Sequence, residues 1–144
     1  FNGPLHLQKL LETINRRIEK LLDKDHQIGH AYFLGIEAFD RPIHQLRIIF
    51  QNKIIPLLQE YFYGNYGKMQ LVVGKDFVFK ADNQQESADT FFAASDYDGK
   101  DDAVEREVYH VTNWLALMED GSLKYSDELF RSAVIRIYNP KWNG

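Results

Sequence analysis

Residues 7–22 read LQKLLETINRRIEKLL, and a leucine or an isoleucine recurs at every third or fourth position of this stretch. That spacing matches the turn of an α-helix, so the apolar side chains share one face while Arg16, Arg17 and Lys20 lie on the other. Pro4 suits the entry to such a helix, and the charged run 23–25 suits its end. We therefore predict an amphipathic helix over residues 5–23.

A second apolar stripe begins at Pro42 and runs to Tyr61. Pro42 fits the first turn of a helix, whereas Pro56 removes a hydrogen bond and collides with the preceding turn. We expect a kink at Pro56 or two helices in series. The glycine-rich residues 63–67 then predict a turn.

Residues 26–36 separate the two stripes and combine glycines with apolar side chains. The glycines argue against a helix, and the apolar content argues against a free surface loop. We expect a buried turn that leads into a short irregular or extended segment.

The second half of the chain has weaker patterns. Residues 67–73 fit a strand or a short helix, 77–79 a short strand, and 107–112 a strand followed by a helical turn over 113–119. Residues 81–86 and 95–102 indicate exposed loops, with Phe91 and Phe92 between them as an anchor into the core. Ser126 begins a capped helix that Asn139-Pro140 ends. The predicted fold class is mainly α with a small β element.

Composition narrows the possible functions. The chain has 144 residues, 44% of them hydrophobic, and a net charge of −4. This fits one domain, with or without an appendage, and argues against a surface that is basic overall. Without cysteine there can be no disulfide, zinc-thiolate site or thiol nucleophile, which fits a cytoplasmic protein. No apolar run is long enough to cross a membrane, and the amino-terminal residues lack the pattern of a signal peptide.

Three motifs were weighed for chemistry, and each fails on spacing. Residues 64–68 have two residues between the glycines, whereas a phosphate-binding P-loop needs four and then Ser or Thr after the lysine. Counted from Asp96, Gly99 is fourth, whereas a calcium loop needs glycine at its sixth position. His26 and His30 beside Asp25 lack a third ligand for a metal. We predict no catalytic residue and no metal site.

The cationic residues leave two interpretations open. The favoured one for Arg16, Arg17, Lys20, Arg41 and Arg47 is a solvated helix face, because exposed helical charges are common. The alternative is that one or more of them faces a phosphate or an adjoining subunit.

Three stretches together resemble a known family. They are Ile14-Asn15-Arg16-Arg17-Ile18-Glu19, Asp23-Lys24-Asp25-His26-Gln27-Ile28-Gly29-His30-Ala31-Tyr32-Phe33 and Ile55-Pro56-Leu57-Leu58-Gln59-Glu60-Tyr61-Phe62-Tyr63. In this order and spacing they resemble the C-terminal part of the McrB family, the AAA+ GTPase subunits of modified-cytosine-dependent restriction systems. The resemblance covers residues 5–75, and Ala31 stands where the family usually has serine. The closing residues 133–138 more weakly resemble C-terminal extensions of McrB-like proteins.

The resemblance implies a helical AAA+ lid subdomain over residues 1–75 and a C-terminal α+β extension over 76–144. A lid covers a nucleotide held by the AAA+ core of the same chain and contributes to the interface with neighbouring subunits of a ring. The catalytic elements of the family lie upstream of this region, so the segment is not expected to hydrolyse nucleotide alone. It would need no cofactor by itself, whereas the complete protein would use GTP or ATP with magnesium, a McrC-like nuclease partner, and DNA bound by other domains.

The resemblance also assigns roles to residues. Ile28, Gly29 and His30 are the candidates to face the nucleotide, and Arg41 is a weaker candidate by position. Arg16 and Arg17 are candidates for contact with a subunit or a phosphate. The alternative function is a stand-alone helical module that binds a protein or DNA and has no nucleotide role.

Overall fold

A computed structural model describes residues 5–81 and 87–143. Its helix α1 (Leu7–Leu21) confirms the first predicted helix. It begins two residues later and ends two residues earlier than expected. Its buried face consists of Leu10, Leu11, Ile14 and Ile18, as the spacing predicts. This face packs against two later helices, over residues 66–73 and 127–138.

The second stripe forms helix α2 (Pro42–Ile49) and helix α3 (Ile55–Tyr61), joined by a π-helical segment (Phe50–Ile54). The Ile55 N–H donates to the Phe50 carbonyl, five residues back instead of four. This wide turn comes directly before Pro56, whose missing N–H would break a regular helix. The predicted interruption at Pro56 is confirmed, and its form is a π segment.

Residues 24–38 contain three short 3₁₀ turns, Lys24–His26, His30–Phe33 and Ile36–Ala38. The predicted irregular backbone is thereby confirmed, whereas the prediction that the turn is buried is wrong. Only Ile28, Phe33 and Ile36 of this segment enter the core, and the residues between them are largely exposed. The segment therefore lies on the surface and is held by three apolar side chains.

Helix α4 (Tyr66–Val73) decides the alternative left open for residues 67–73, because the stretch is helical. The Asn65 side chain caps it by accepting a hydrogen bond from the Lys68 N–H. Strands β1 (Val78–Lys80) and β2 (Tyr109–Val111) then pair antiparallel, with Phe79 opposite His110. The two predicted strands are confirmed in type. Strand β1 is shifted by one residue from the predicted 77–79, and β2 is shorter than the predicted 107–112.

Helices α5 (Ala88–Phe91) and α6 (Lys100–Glu105) pack on each other in the excursion between the two strands. The prediction that Phe91 and Phe92 anchor this excursion in the core is wrong. Their side chains are 61% and 36% exposed and contact each other edge to face. The small Ala88 is buried instead, and of the predicted loop over 81–86, residues 82–86 lie outside the described residues.

Helix α7 (Asp127–Tyr138) begins and ends where the sequence predicts, with Ser126 as its cap and Asn139 after its last turn. It packs against α1 and α2. The helical turn predicted over 113–119 is wrong, because this stretch instead forms a turn and a bridge in which Leu117 pairs with Leu123. The Asp120-Gly121 turn lies between the two bridged residues, with Gly121 at a φ of 86°.

One hydrophobic core extends from Leu5 to Ile137 and crosses the predicted boundary at residue 75. Its centre is aromatic: the rings of Phe50, Phe77, Trp114 and Phe130 lie with centroids 5.3 to 6.0 Å apart. The fold is mainly helical with a two-stranded antiparallel sheet, as predicted. Within the described ranges, no helix has the length and apolarity needed to cross a membrane.

Candidate functional site

The corner predicted to face a nucleotide is anchored by Ile28. The Asn15 amide donates to the Ile28 carbonyl at 2.9 Å and accepts from the Ile28 N–H at 2.6 Å. The Ile28 side chain is buried in the core. Both backbone groups and the side chain are therefore occupied, so Ile28 fixes the corner and does not itself present a side chain to a ligand.

Gly29 and His30 are the exposed residues of this corner. Gly29 has φ −77° and ψ 157°, which any residue can adopt, and a Cβ added there would meet no atom within 4 Å. His30 opens the 3₁₀ turn His30–Phe33, and its ring makes no hydrogen bond to another described residue. Neither backbone strain nor packing requires glycine at position 29. The missing side chain instead leaves space for a ligand to approach the backbone closely.

A cavity of about 400 Å³ lies directly beside this corner. The segment after His30 forms one side of the cavity, and α2 with the π segment forms the other. The lining of the cavity is mostly apolar. Two of its side chains are unusually exposed for their type, Leu34 at 75% and Phe39 at 52%. The lining residues are Ala31, Tyr32, Leu34, Ile36, Phe39, Gln45, Ile49 and Lys53.

This cavity combines apolar walls with one amide and one ammonium group, a composition typical of small-ligand and docking sites. Sequence reasoning did not select Phe39, Gln45 or Lys53 as site residues. The signal that could have found Phe39 and Leu34 is their place in a segment whose glycines keep it out of regular structure.

Arg41, the weaker nucleotide-facing candidate, lies at the start of α2 and donates to Asp127 at 3.0 Å. Its side chain is more than half exposed. Arg41 therefore links the start of α2 to the first turn of α7, and the rest of its guanidinium is available to a partner.

Arg47 does not lie on a solvated face, so that interpretation is wrong for this residue. Its side chain is 0% exposed and donates to the carbonyls of Trp114 and Tyr125 and to the Asp127 carboxylate, at 3.0, 2.6 and 2.8 Å. The guanidinium also lies over the Phe130 ring. Buried charges persist only when paired and hydrogen-bonded, and this one is both.

His44 lies one turn from these cations. Burial lowers the pKa of its imidazole, and the nearby Arg41 and Arg47 lower it further, while Asp127 opposes them. The neutral form of His44 is thus favoured in the folded protein.

Arg16 and Arg17 line two different clefts, on either side of residues 138–140. Arg17 donates to the Val72 carbonyl at 2.8 Å, and burial lowers the pKa of its guanidinium. Arg16 lines the neighbouring cleft together with Lys9 and Tyr138. The two arginines are therefore not brought together with Gly29 and His30 in one cavity.

The histidine pair considered for a metal is not assembled as a site. His26 Nδ1 lies 2.6 Å from Asp23, and this hydrogen bond lowers the pKa of the carboxyl group. The His26 ring also contacts the edge of Tyr61, at 4.9 Å between centroids. Among the residues with described positions, no group of three histidine, aspartate or glutamate side chains could hold a metal ion.

The comparison with protein families bears on the first half of the chain. Residues 6–70 match the family model of McrB, alpha-helical lid domain. This region is similar to the McrB lid domain. The resemblance predicted from the three stretches is thus confirmed for these residues, which include α1, α2, α3 and the Gly29-His30 corner.

The McrB-like lid region ends within α4, so the strands, the excursion between them and α7 lie beyond the matched residues. No curated protein and no solved structure matches the chain. A lid of this type is associated with an AAA+ core in the same chain.

Proposed function

We propose that the McrB-like lid covers a guanine or adenine nucleotide bound by the AAA+ core of the same chain, and that it is not catalytic alone. The observation that carries this proposal is the family match over residues 6–70, which includes the Gly29-His30 corner. The corner is exposed and held in place by the Asn15–Ile28 hydrogen bonds. A rigid, outward-facing corner is what a lid needs in order to meet a ligand held by another domain.

The chemistry of the corner suits a purine nucleotide. Backbone near Gly29 can approach a ligand closely, and the His30 imidazole can donate or accept a hydrogen bond. The apolar cavity beside them offers Tyr32 and Phe39 for contact with a base or with the core domain, and Lys53 offers a positive charge. Magnesium and the hydrolytic groups would come from the core.

In the wider proposal, the complete protein forms a ring whose neighbouring subunits meet partly through the lid. Hydrolysis of GTP or ATP in that ring would drive a DNA restriction complex with a McrC-like nuclease in the cytoplasm. DNA would be read by other domains.

The first test uses isothermal titration calorimetry of this chain with GTP and with ATP. Weak or absent binding is expected, because the lid supplies only one side of the nucleotide site. Tight binding by the chain alone, with a low-micromolar Kd, would show that it holds a complete site and would contradict the proposal.

The second test uses the polypeptide in which the lid is joined to its AAA+ core. Gly29→Val fits the local backbone but fills the space at the corner, and His30→Ala removes a hydrogen-bonding group. Each is expected to raise the KM for nucleotide about tenfold, the effect of one lost hydrogen bond. Lys24→Ala, on the neighbouring exposed turn, is the matched control and should leave KM unchanged. Unchanged KM in both corner variants would favour the alternative of a stand-alone interaction module.

A further inference from the structure

The charge of this protein is concentrated in one part of the chain. Residues 87–110 contain seven acidic and two basic residues, a formal charge of −5, whereas the whole chain carries −4. The remaining residues are therefore slightly basic in total. Such separation gives the molecule an acidic end and leaves basic surface elsewhere.

The acidic end is also aromatic. Residues 87–106, which we name the acidic aromatic arm, include α5 and α6 and expose Phe91, Phe92 and Tyr97. Its carboxylates are mostly unpaired: the side chains of Asp96, Asp98 and Asp102 make no hydrogen bond or ion pair to another described residue. Aromatic rings are enriched at interaction surfaces, and unpaired carboxylates beside them favour a partner with basic groups.

The basic surface contains a cleft of about 540 Å³, which we name the basic cleft. Three cations line it, Arg17, Lys75 and Arg136, against the single carboxylate of Asp76. Its other walls are largely apolar. They are formed by Gln70, Leu71, Val73, Gly74, Ile137 and Pro140.

The cations of the basic cleft are only partly satisfied. Arg136 Nε donates to Asp76 at 2.7 Å, and Arg17 donates to a carbonyl and to no carboxylate. The Lys75 ammonium makes no hydrogen bond or ion pair to a described residue. A partly desolvated guanidinium without a carboxylate partner is stabilised by any anion that enters the cleft.

We propose that the basic cleft of one copy of this chain binds the acidic aromatic arm of a second copy. The two surfaces are complementary in both respects, because carboxylates would meet Arg17 and Lys75 while aromatic rings would meet the apolar walls. The contact joins two different surfaces, so a pair of copies keeps one arm free on one copy and one cleft free on the other for further copies. Such a contact builds a ring or a filament.

The proposal extends the subunit-contact part of the proposed function, yet it requires no nucleotide. It is therefore tested without nucleotide, and its failure would leave the nucleotide-covering role untouched.

The experiment measures self-association of the chain by sedimentation velocity over a range of concentrations at low salt. Lys75→Glu reverses the one cation that has no partner in the cleft, and Asp98→Lys with Asp102→Lys reverses the arm. Each variant alone is expected to weaken association at least tenfold. Lys24→Glu is the matched control, because it makes the same change at an exposed site outside the cleft and should associate like the wild type.

A mixture of the two variants gives the sharpest result. The Lys75→Glu copy keeps a normal arm and the other copy keeps a normal cleft, so an equimolar mixture should form a heterodimer although neither variant forms a homodimer. Circular dichroism of each variant establishes that it is folded.

Three results would overturn the proposal. They are a wild-type chain that stays monomeric at all concentrations and salt levels, association that both reversals leave unchanged, and a mixture that fails to associate. If the wild type is monomeric and a short DNA duplex binds in a manner that Lys75→Glu abolishes, the occupant of the cleft is a phosphate backbone and the self-contact is wrong.

Discussion

Arg47 and Asp127 lie 80 positions apart in sequence, and their pairing joins α2 to the first turn of α7. The Arg47 guanidinium has no access to water, so it depends on Asp127 for charge compensation, whereas Asp127 is partly exposed. Loss of the carboxylate would leave a buried cation, which costs far more than loss of a surface pair.

The first prediction follows from this asymmetry. Asp127→Asn is expected to lower the free energy of unfolding by about 3 kcal/mol, the usual effect of breaking a buried pair on one side. Glu128→Gln is the matched control: it changes the neighbouring acidic residue in the same helical turn, where the side chain is 83% exposed, and should lose at most about 0.5 kcal/mol. Urea denaturation of both variants checks this. Equal losses would show that the effect comes from the helix terminus and not from Arg47.

The second prediction concerns His44, whose pKa is lowered in the folded protein by burial and by the nearby arginines. Between the lowered folded value and the ordinary value of about 6.5, the unfolded chain binds more protons than the folded one. Stability therefore rises with pH through this window and is lost as pH falls below about 6.5. His44→Gln should flatten the dependence, measured as the urea midpoint from pH 5 to 8. Parallel curves for the wild type and the variant would contradict the assignment.

Sequence alone predicted some residues of the candidate site and missed others for a definable reason. Gly29 and His30 were predicted because their neighbours resemble a known family. Arg47 was wrongly predicted to lie on a solvated face. Its burial depends on carbonyls and a carboxylate that lie 67 to 80 positions from it in the sequence, which the local pattern does not show. Lys53 was missed because an exposed lysine on a helix has the same local pattern with or without a cavity beside it.

At the scale of elements, α1 was predicted because it has a sustained apolar period, and its buried residues are those that the period indicates. Helix α7 was predicted in the same way, but Ala133 and Ile135 are buried beside Val134, which a single apolar stripe does not indicate. The excursion between the strands was not predicted correctly. Two adjacent phenylalanines, Phe91 and Phe92, have no period, and local composition does not distinguish a core anchor from an exposed pair. The helical turn predicted over residues 113–119 was wrong for a similar reason. The bridge between Leu117 and Leu123 depends on both segments, and the sequence of either segment alone does not indicate it.

The third prediction compares two helix caps of the same chemistry. Ser126 accepts a hydrogen bond from the Leu129 N–H at the start of α7, and Ser87 accepts one from the Thr90 N–H at the start of α5. Ser126→Ala should destabilise the protein by about 1 kcal/mol, because α7 is part of the core. Ser87→Ala should have an effect close to zero, since α5 has four residues and lies on the exposed arm. Thermal denaturation of both variants measures the difference, and equal effects would mean that the arm unfolds together with the core.

At the scale of the whole molecule, the residues beyond the matched region share one hydrophobic core with it. Phe50 from the π segment contacts both Phe77 and Phe130, which lie beyond the residues that match the lid family. The family resemblance could not show this, because it ends before those residues. The aromatic centre of the core thus depends on both halves of the chain.

The fourth prediction separates the part of the second half that holds the fold from the part that does not. A chain ended after residue 75 loses Phe77, Trp114 and the buried face of α7, each large side chain contributing about 1.5–3 kcal/mol by burial. Their sum is comparable to the whole stability of about 5–15 kcal/mol of a typical domain, so this chain should lack near-ultraviolet circular dichroism and a cooperative transition.

Replacing residues 82–107 by Asn-Gly should instead preserve the fold. The Ala81 N–H donates to the Val108 carbonyl, so the two chain ends already face each other at the position where a two-residue hairpin turn fits. This variant keeps the strands, α7 and the aromatic centre. It loses the exposed arm with its buried Ala88, residues 82–86, and Glu107 with its exposed ion pair to Lys80. We expect a cooperative transition and a wild-type near-ultraviolet spectrum together with loss of self-association, because folding depends on the core and association on the arm. An unfolded variant would show that the arm is needed for folding, and a folded variant that still associates would place the self-contact elsewhere.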